Sequence, residues 1–165
     1  VLIRAATSQD HAAILALNAE SVQFLSPMDA PRLLHLDQQA AYHRVVQIDD
    51  EVAAFLLVLR EGADYDSPNY RWFAATYARF LYIDRVVVST AHQGRRLGAV
   101  LYDDLFAFAR ADGIDKLTCE FDIDPPNEGS RIFHARHGFR EVGQQRLGGG
   151  KLVSLQLADV TPLSS

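Results

Sequence analysis

The chain has one cysteine, one methionine and one tryptophan in 165 residues. A single thiol, Cys119, excludes an intramolecular disulfide and the small stapled scaffolds of secreted proteins, and it fits a reducing compartment. No apolar run approaches the roughly 20 residues that a membrane-spanning helix needs. The opening "VLIRAATSQD" lacks the basic-then-apolar pattern of a secretion signal. These absences lead to the expectation of a cytoplasmic protein. A basic excess is missing too: 16 Lys and Arg against 21 Asp and Glu leave a net charge of -5. That balance argues against nucleic acid or an anionic membrane as partner, while leaving room for a small basic pocket.

Hydrophobic residues make up 48% and charged residues 22%, an ordinary soluble composition. The length favours one domain over 1–165 with a sizeable core. "VLIRAAT" reads as a first strand, and Ser8 as the N-cap of a helix over "QDHAAILALNAE". "SPMDAPRLLHLDQQAAYH" reads as a second helix entered through its prolines. "RVVQI", a turn "DDE" and "VAAFLLVLR" form a hairpin. Residues 61–79 have no clean period, and a loop of that length is often functional or holds a short helix. "FLYIDRVVV" is a β-branched and aromatic strand. Leu97, Leu101, Leu105 and Phe108 share one face of a helix from Leu97 to Ala111, ended by Asp112-Gly113. "KLTCEFDI" is a strand, "EGSRIFHARHGF" a short helix closed by Gly138, and "REVGQQRL", "GGG", "KLVSLQL" a final hairpin. The order β-α-α-β-β-β-α-β-α-β-β gives an α/β class, a single domain on a mixed sheet.

Between the strand ending "RVVV" and the longest helix stands "HQGRRLG". The first amides of a helix lack intrahelical partners and carry the positive end of its dipole, so a turn exposing them suits an anion. Gly94 and Gly98 allow close backbone approach, and Arg95 and Arg96 add charged donors. A basic turn that satisfies only its own helix start has the same spacing. The Gly-Lys-Ser/Thr ending of a Walker loop is missing, as are the three spaced glycines of a dinucleotide fingerprint.

"YIDRVVVSTAHQGRRLGAVLYDDLFAFA" resembles the central motif of the GNAT superfamily of acyl-CoA-dependent N-acetyltransferases, written Gln/Arg-x-x-Gly-x-Gly/Ala after a hydrophobic strand. Gln93 opens the motif, Gly98 closes it, and Arg96 stands where the middle glycine is expected. "NEGSRIFHARHGF" is similar to the family's Asn-led segment ending in Gly-Phe, with Asn127, Ser130 and Gly138-Phe139 at the family spacings. The wording "YIDRVVV…DPPN…FHARHGF" resembles a bacterial subgroup of acetyltransferases known mainly by prediction.

The resemblance implies a GNAT fold, acetyl-CoA as co-substrate and a small-molecule or peptide amine as acceptor; a homodimer is common among similar folds. It implies that the backbone of Val86, Val87 and Val88 holds the pantetheine arm. The pyrophosphate then rests on amides of Gln93, Gly94, Arg95, Arg96, Leu97, Gly98 and Ala99. An arginine at position 96 still offers its backbone N–H if the position is helical. Asn127, Ser130 and Phe133 are implied cofactor contacts, with helix capping the other use of Asn127 and Ser130. The place of the family's thiolate-protonating tyrosine falls on His134, whose imidazole at an ordinary pKa of about 6.5 is mostly neutral near pH 7; a packed helix histidine is its other reading.

Attack of an amine on a thioester needs a base, and Asp84 and Glu120 rank ahead of Asp122 for it. Salt bridging, for instance to Arg85 or Arg131, is the expected use of at least two of the three. Asp64, Tyr65, Asp66, Tyr70, Trp72, Phe73 and Tyr77 form an acidic, aromatic stretch that suits a cationic amine or packs as a lid. His134 and His137 have the i, i+3 spacing of a metal pair, but no third ligand lies nearby in sequence and a surface pair is expected, so no metal is assigned. Cys119 reads as a buried strand cysteine rather than a nucleophile. Against the transferase stands a second class, an acyl-CoA-binding regulatory module with little transfer, which Arg96 and His134 keep open.

Overall fold

The computed structural model describes residues 1–22 and 25–162. Among these residues, seven strands and five α-helices follow in chain order. They are β1 (Leu2–Ala5), α1 (His11–Ala19), α2 (Ala30–Gln39), β2 (Ala40–Ile48), β3 (Glu51–Arg60) and α3 (Pro68–Thr76). After these come β4 (Leu81–Val88), α4 (Leu97–Ala111), β5 (Lys116–Asp124), α5 (Glu128–Arg136), β6 (Arg140–Arg146) and β7 (Leu152–Asp159). One mixed sheet runs in the order β1-β2-β3-β4-β5-β7-β6, with β4 and β5 parallel. The expected α/β class and element order hold, and α3 fills the aperiodic stretch between β3 and β4.

Contacts divide the chain into two units. The first comprises Val1–Leu59 and Ile83–Leu105. Its centre is β3, where every side chain from Ala53 to Leu59 is fully buried, the pattern of a strand covered on both faces. Ile14 and Leu17 of α1 and Leu33 and Leu36 of α2 are buried in the same unit. The second comprises Arg60–Tyr82 and Phe106–Ser165. Its core collects Tyr70 and Phe73 of α3, Phe80, Leu81 and Tyr82, Leu117 and Cys119 of β5, and Val153, Leu155 and Leu157 of β7.

Three local expectations shift. The first helical turn is a short 3-10 turn, Ser8–Asp10, capped by Thr7 rather than Ser8; the Thr7 amide donates to the Asp10 carboxylate at 2.7 Å. The second helix is shorter than expected, running only from Ala30 to Gln39, because Asp29 caps its start and Ala40 turns extended (ψ 136). Residues 40–43 instead join β2, where Tyr42 pairs with Val58 and buries its ring. On α4, Leu97, Leu101 and Leu105 are buried as expected, but Tyr102 and Ala109 complete the stripe and Phe108 stays half-buried. A straight helix brings position 109, four after 105, onto that line.

Candidate active site

The turn between β4 and α4 lies in the first unit. Ser89 caps a 3-10 turn, Thr90–His92, by accepting the Ala91 N–H. Gly94 then takes φ 84 and Arg96 φ 60, both left-handed. The helix starts at Leu97, and its first backbone bond runs from the Val100 N–H to the Arg96 carbonyl. Arg96 is therefore the N-cap residue, and its side chain has no acceptor atom with which to cap anything. The amides of Leu97, Gly98 and Ala99 precede the first helical bond and have no carbonyl one turn back. Gln93, Gly94, Arg95 and Arg96 are exposed, and a Cβ added at Gly94 would meet nothing within 4 Å. A helix start whose N-cap side chain cannot accept, with two exposed arginines and an open glycine beside it, fits a diphosphate. Leading into this turn, Val87 is buried, and Val86 and Val88 are half-buried.

The condition that position 96 be helical is not met. Arg96 holds the left-handed angle at which a glycine pays no steric cost, so the arginine is strained where the family's glycine would not be. Arg96→Gly is accordingly expected to stabilise the fold by about 0.5–1 kcal/mol, the relief of left-handed strain less the entropy of the glycine. Urea denaturation at neutral pH measures it, and a loss of stability would contradict the strain.

The carboxylates separate sharply. Asp84 is 3% exposed and takes the Arg85 Nε–H at 2.7 Å. Arg85, 5% exposed, also donates Nη1 to the Asn18 Oδ1 at 2.9 Å and the Ser26 carbonyl at 3.2 Å. Asp122 sits 3.2 Å from Lys151 Nζ, while Arg131 pairs with Glu128 on the surface of α5. Glu120, in the second unit, receives different donors. The Tyr82 hydroxyl lies 2.8 Å from both of its oxygens, and the Asn69 amide donates to Oε1 at 3.0 Å. The Tyr70 ring packs edge-on against Tyr82 at 5.5 Å, and the Tyr70 hydroxyl donates to the Arg60 carbonyl while accepting the Ala63 N–H.

Of the acidic, aromatic stretch, Tyr70 and Phe73 are buried, Tyr65, Trp72 and Tyr77 half-buried, and Asp64 and Asp66 exposed. Asn69 carried no mark in the sequence reading. The signal that was available is "SPN": Ser67 accepts the Tyr70 N–H and Pro68 opens α3, a capped start with proline at its head.

On α5, Asn127 caps the helix by accepting the Ser130 N–H. His134 Nδ1 lies 2.8 Å from the Ser130 carbonyl and 3.1 Å from the Ser130 hydroxyl. A carbonyl only accepts, so the proton is assigned to Nδ1. The expected surface pair with His137 is corrected: His134 is 5% exposed, with Phe121, Phe133 and Phe139 around it. His137 Nδ1 is likewise held by the Phe133 carbonyl. Cys119 is buried, and that burial pushes its thiol pKa well up.

Burial pushes the His134 pKa down to about 4, against the opposing bond to Ser130. The unfolded chain takes up this proton near pH 6.5, whereas the folded chain takes it up only near 4. The contribution is therefore fully present above pH 6.5 and is lost as pH falls toward 4. Stability is expected to drop by about 2 kcal/mol from this residue between pH 7 and pH 5. His134→Phe should remove that part of the slope in denaturation curves at the two pH values; an unchanged slope would show that His134 titrates normally.

Known proteins place this geometry. The sequence model of the Acetyltransferase (GNAT) family matches residues 11–139. Solved structures share the fold across nearly the whole chain. Ard1 from Thermoplasma volcanium superposes with a TM-score of 0.79 at 13% identity, covering 97% of each chain. The ribosomal-protein-S18-alanine N-acetyltransferase from Escherichia coli gives 0.74 at 13% identity, covering 99% of this chain and 96% of that one. The yncA protein from Salmonella typhimurium, solved with its cofactor acetyl-CoA, gives 0.72 at 19% identity over 99% and 96%. A comparison with curated proteins finds no match. No helix among the described residues is long and apolar enough to cross a membrane. With its family model matched from α1 to Phe139 and its fold shared end to end, the chain belongs to the GNAT family and is an acyltransferase enzyme that moves acetyl groups.

Proposed function

We propose that the protein is a single-domain N-acetyltransferase that takes the acetyl group of acetyl-CoA to a primary amine, on a small molecule or a peptide, by direct attack of the amine on the thioester. The observation that carries this reading is the start of α4: a 15-residue helix preceded by an arginine in the left-handed region, whose side chain has no acceptor for the first amides. Those amides, with Arg95 and Arg96, hold the pyrophosphate of the co-substrate. The backbone of Val86, Val87 and Val88 pairs with its pantetheine arm, and Asn127, Ser130 and Phe133 make further contacts.

Acetyl-CoA supplies the activated acyl group; the chain supplies proton handling. Glu120 is the proposed base. Asp84 already holds Arg85, and Asp122 faces Lys151, whereas Glu120 accepts from the neutral Tyr82 hydroxyl and the neutral Asn69 amide. It takes the proton that the attacking amine sheds, directly or through water. His134, at the place of the family's tyrosine, acts with Ser130 on the departing thiolate as a neutral pair. The His134 N–H is given to the Ser130 carbonyl, so the Ser130 hydroxyl is left to donate a hydrogen bond to the sulfur, which departs as the thiolate and takes its proton from water. An imidazolium donor is scarce at neutral pH with a pKa of about 4.

Thermal unfolding with acetyl-CoA, followed by free-thiol release with a panel of primary amines, tests the proposal. Stabilisation and thiol release with at least one amine are expected. Stabilisation without release for any acceptor would favour the binding module, and no stabilisation would sink both.

A further inference from the structure

α3 comes from the stretch of sequence with no readable period, and it brings one polar side chain into the second unit's interior. Asn69 is 6% exposed. Its amide nitrogen donates to Glu120 Oε1 at 3.0 Å, and its Oδ1 has no hydrogen-bond partner among the described residues. Turning the amide over would set two acceptors face to face, so Glu120 itself determines which way Asn69 points. A buried acceptor left unmet is a cost that the fold carries. What the residue gains in return is a single bond, to the carboxylate.

We propose that Asn69 is a positioning residue for the acyl transfer: with Tyr82 it fixes the Glu120 carboxylate in one orientation and in its ionised form. The inference rests on Glu120 being the base. The Tyr82 hydroxyl and the Asn69 amide both donate to this carboxylate. The one hydrogen of the Tyr82 hydroxyl is shared between Oε1 and Oε2, each at 2.8 Å. The Asn69 hydrogen is directed at Oε1 alone. The Tyr82 bond does not distinguish the two oxygens, and the Asn69 bond, made to Oε1, does. α3 is held in place by its own aromatic face: Phe73 packs on Phe80 and Tyr82, and Trp72 lies over the backbone of Gly143, where an added Cβ would come within 2.7 Å of the indole. Hydrogen bonds to a carboxylate favour its ionised form, so removing one raises its proton affinity.

The test follows the Glu120 carboxyl directly. Protein labelled with carbon-13 at the glutamate carboxyl is titrated by NMR, the Glu120 signal being assigned by its absence in Glu120→Gln. Asn69→Leu, matched in size and without a donor, is expected to raise the Glu120 midpoint by about one pH unit. Asn69→Gln, which keeps an amide donor, is expected to recover more than half of that shift. Asn69→Ala serves in place of leucine if the larger side chain disturbs the packing. Trp72, the one tryptophan, reports by its emission whether α3 stays docked. The acidic limb of kcat/KM in thiol release, with the best amine of the panel, should move with the midpoint. A midpoint that stays put in the leucine or alanine variant with α3 docked overturns the role of Asn69. A midpoint that moves while the rate limb does not leaves the Asn69–Glu120 coupling standing and overturns Glu120 as the base.

Discussion

Glu120→Gln is expected to lower kcat/KM for acetyl transfer by about 10²–10⁴-fold, the usual contribution of a general base, with little change in stability or acetyl-CoA affinity. The substitution is close to isosteric, and its geometry explains why the fold should tolerate it. An amide oxygen in the place of Oε1 still accepts from Asn69 and Tyr82, and an amide nitrogen in the place of Oε2 donates to the Tyr82 oxygen. What disappears is the capacity to accept a proton. The loss should fall on the rate rather than on binding, because nothing at the α4 turn is altered. Matched thermal unfolding with acetyl-CoA checks binding, and thiol release checks the rate. A variant within threefold of the parent would remove Glu120 from the mechanism and reopen Asp84 and Asp122.

What the sequence revealed divides by the range of the interaction. The bounds of α4 were legible because leucines four apart and a closing Asp-Gly are local signals, and the observed helix, Leu97–Ala111, matches them. The same holds for β3, whose unbroken apolar run marks a strand covered on both faces. α3 was hidden because its buried positions, Asn69, Tyr70 and Phe73, mix a polar residue with aromatics and leave no clean stripe. The Glu120 donors were out of reach for a different reason. Asn69 and Tyr82 lie 51 and 38 residues away in the chain, and no local pattern brings them together. His134 misled in the opposite sense: beside His137 it looks like a surface residue, yet Phe121 of β5, Phe133 of α5 and Phe139 in the turn after α5 surround it. At Arg96 the residue type was plain and its backbone angle was not, since an L-residue in the left-handed region is an exception that only the surrounding turn enforces.

Arg85→Ala is expected to cost about 3–5 kcal/mol, a large share of a domain stability of roughly 5–15 kcal/mol. The reason lies in what one guanidinium holds. Its Nε–H meets the Asp84 carboxylate at 2.7 Å, with both side chains 5% exposed or less, where a lost partner leaves a charge in a poorly hydrated site. Its Nη1 reaches across to α1 at Asn18 and to the Ser26 carbonyl, which also takes the Asn18 amide at 3.1 Å. One arginine thus ties β4 to the segment leading from α1 into α2, and the residues just after Ser26 (Pro27, Met28, Asp29 and Arg32) line an open cavity of about 470 Å³. Burying an ion pair brings little net stability by itself, because desolvation offsets most of the attraction; breaking one is costly. The double variant Asp84→Asn with Arg85→Met should therefore recover roughly half of the loss seen with Arg85→Ala, since methionine fills the space and no unpaired charge remains. Urea denaturation of the two variants beside the parent separates the cases. A double variant as unstable as the single one would show that the links to Asn18 and Ser26, rather than the charge on Asp84, set the cost. A single variant losing less than about 1 kcal/mol would show that water enters and rehydrates Asp84, so that the pair is less enclosed than its burial indicates.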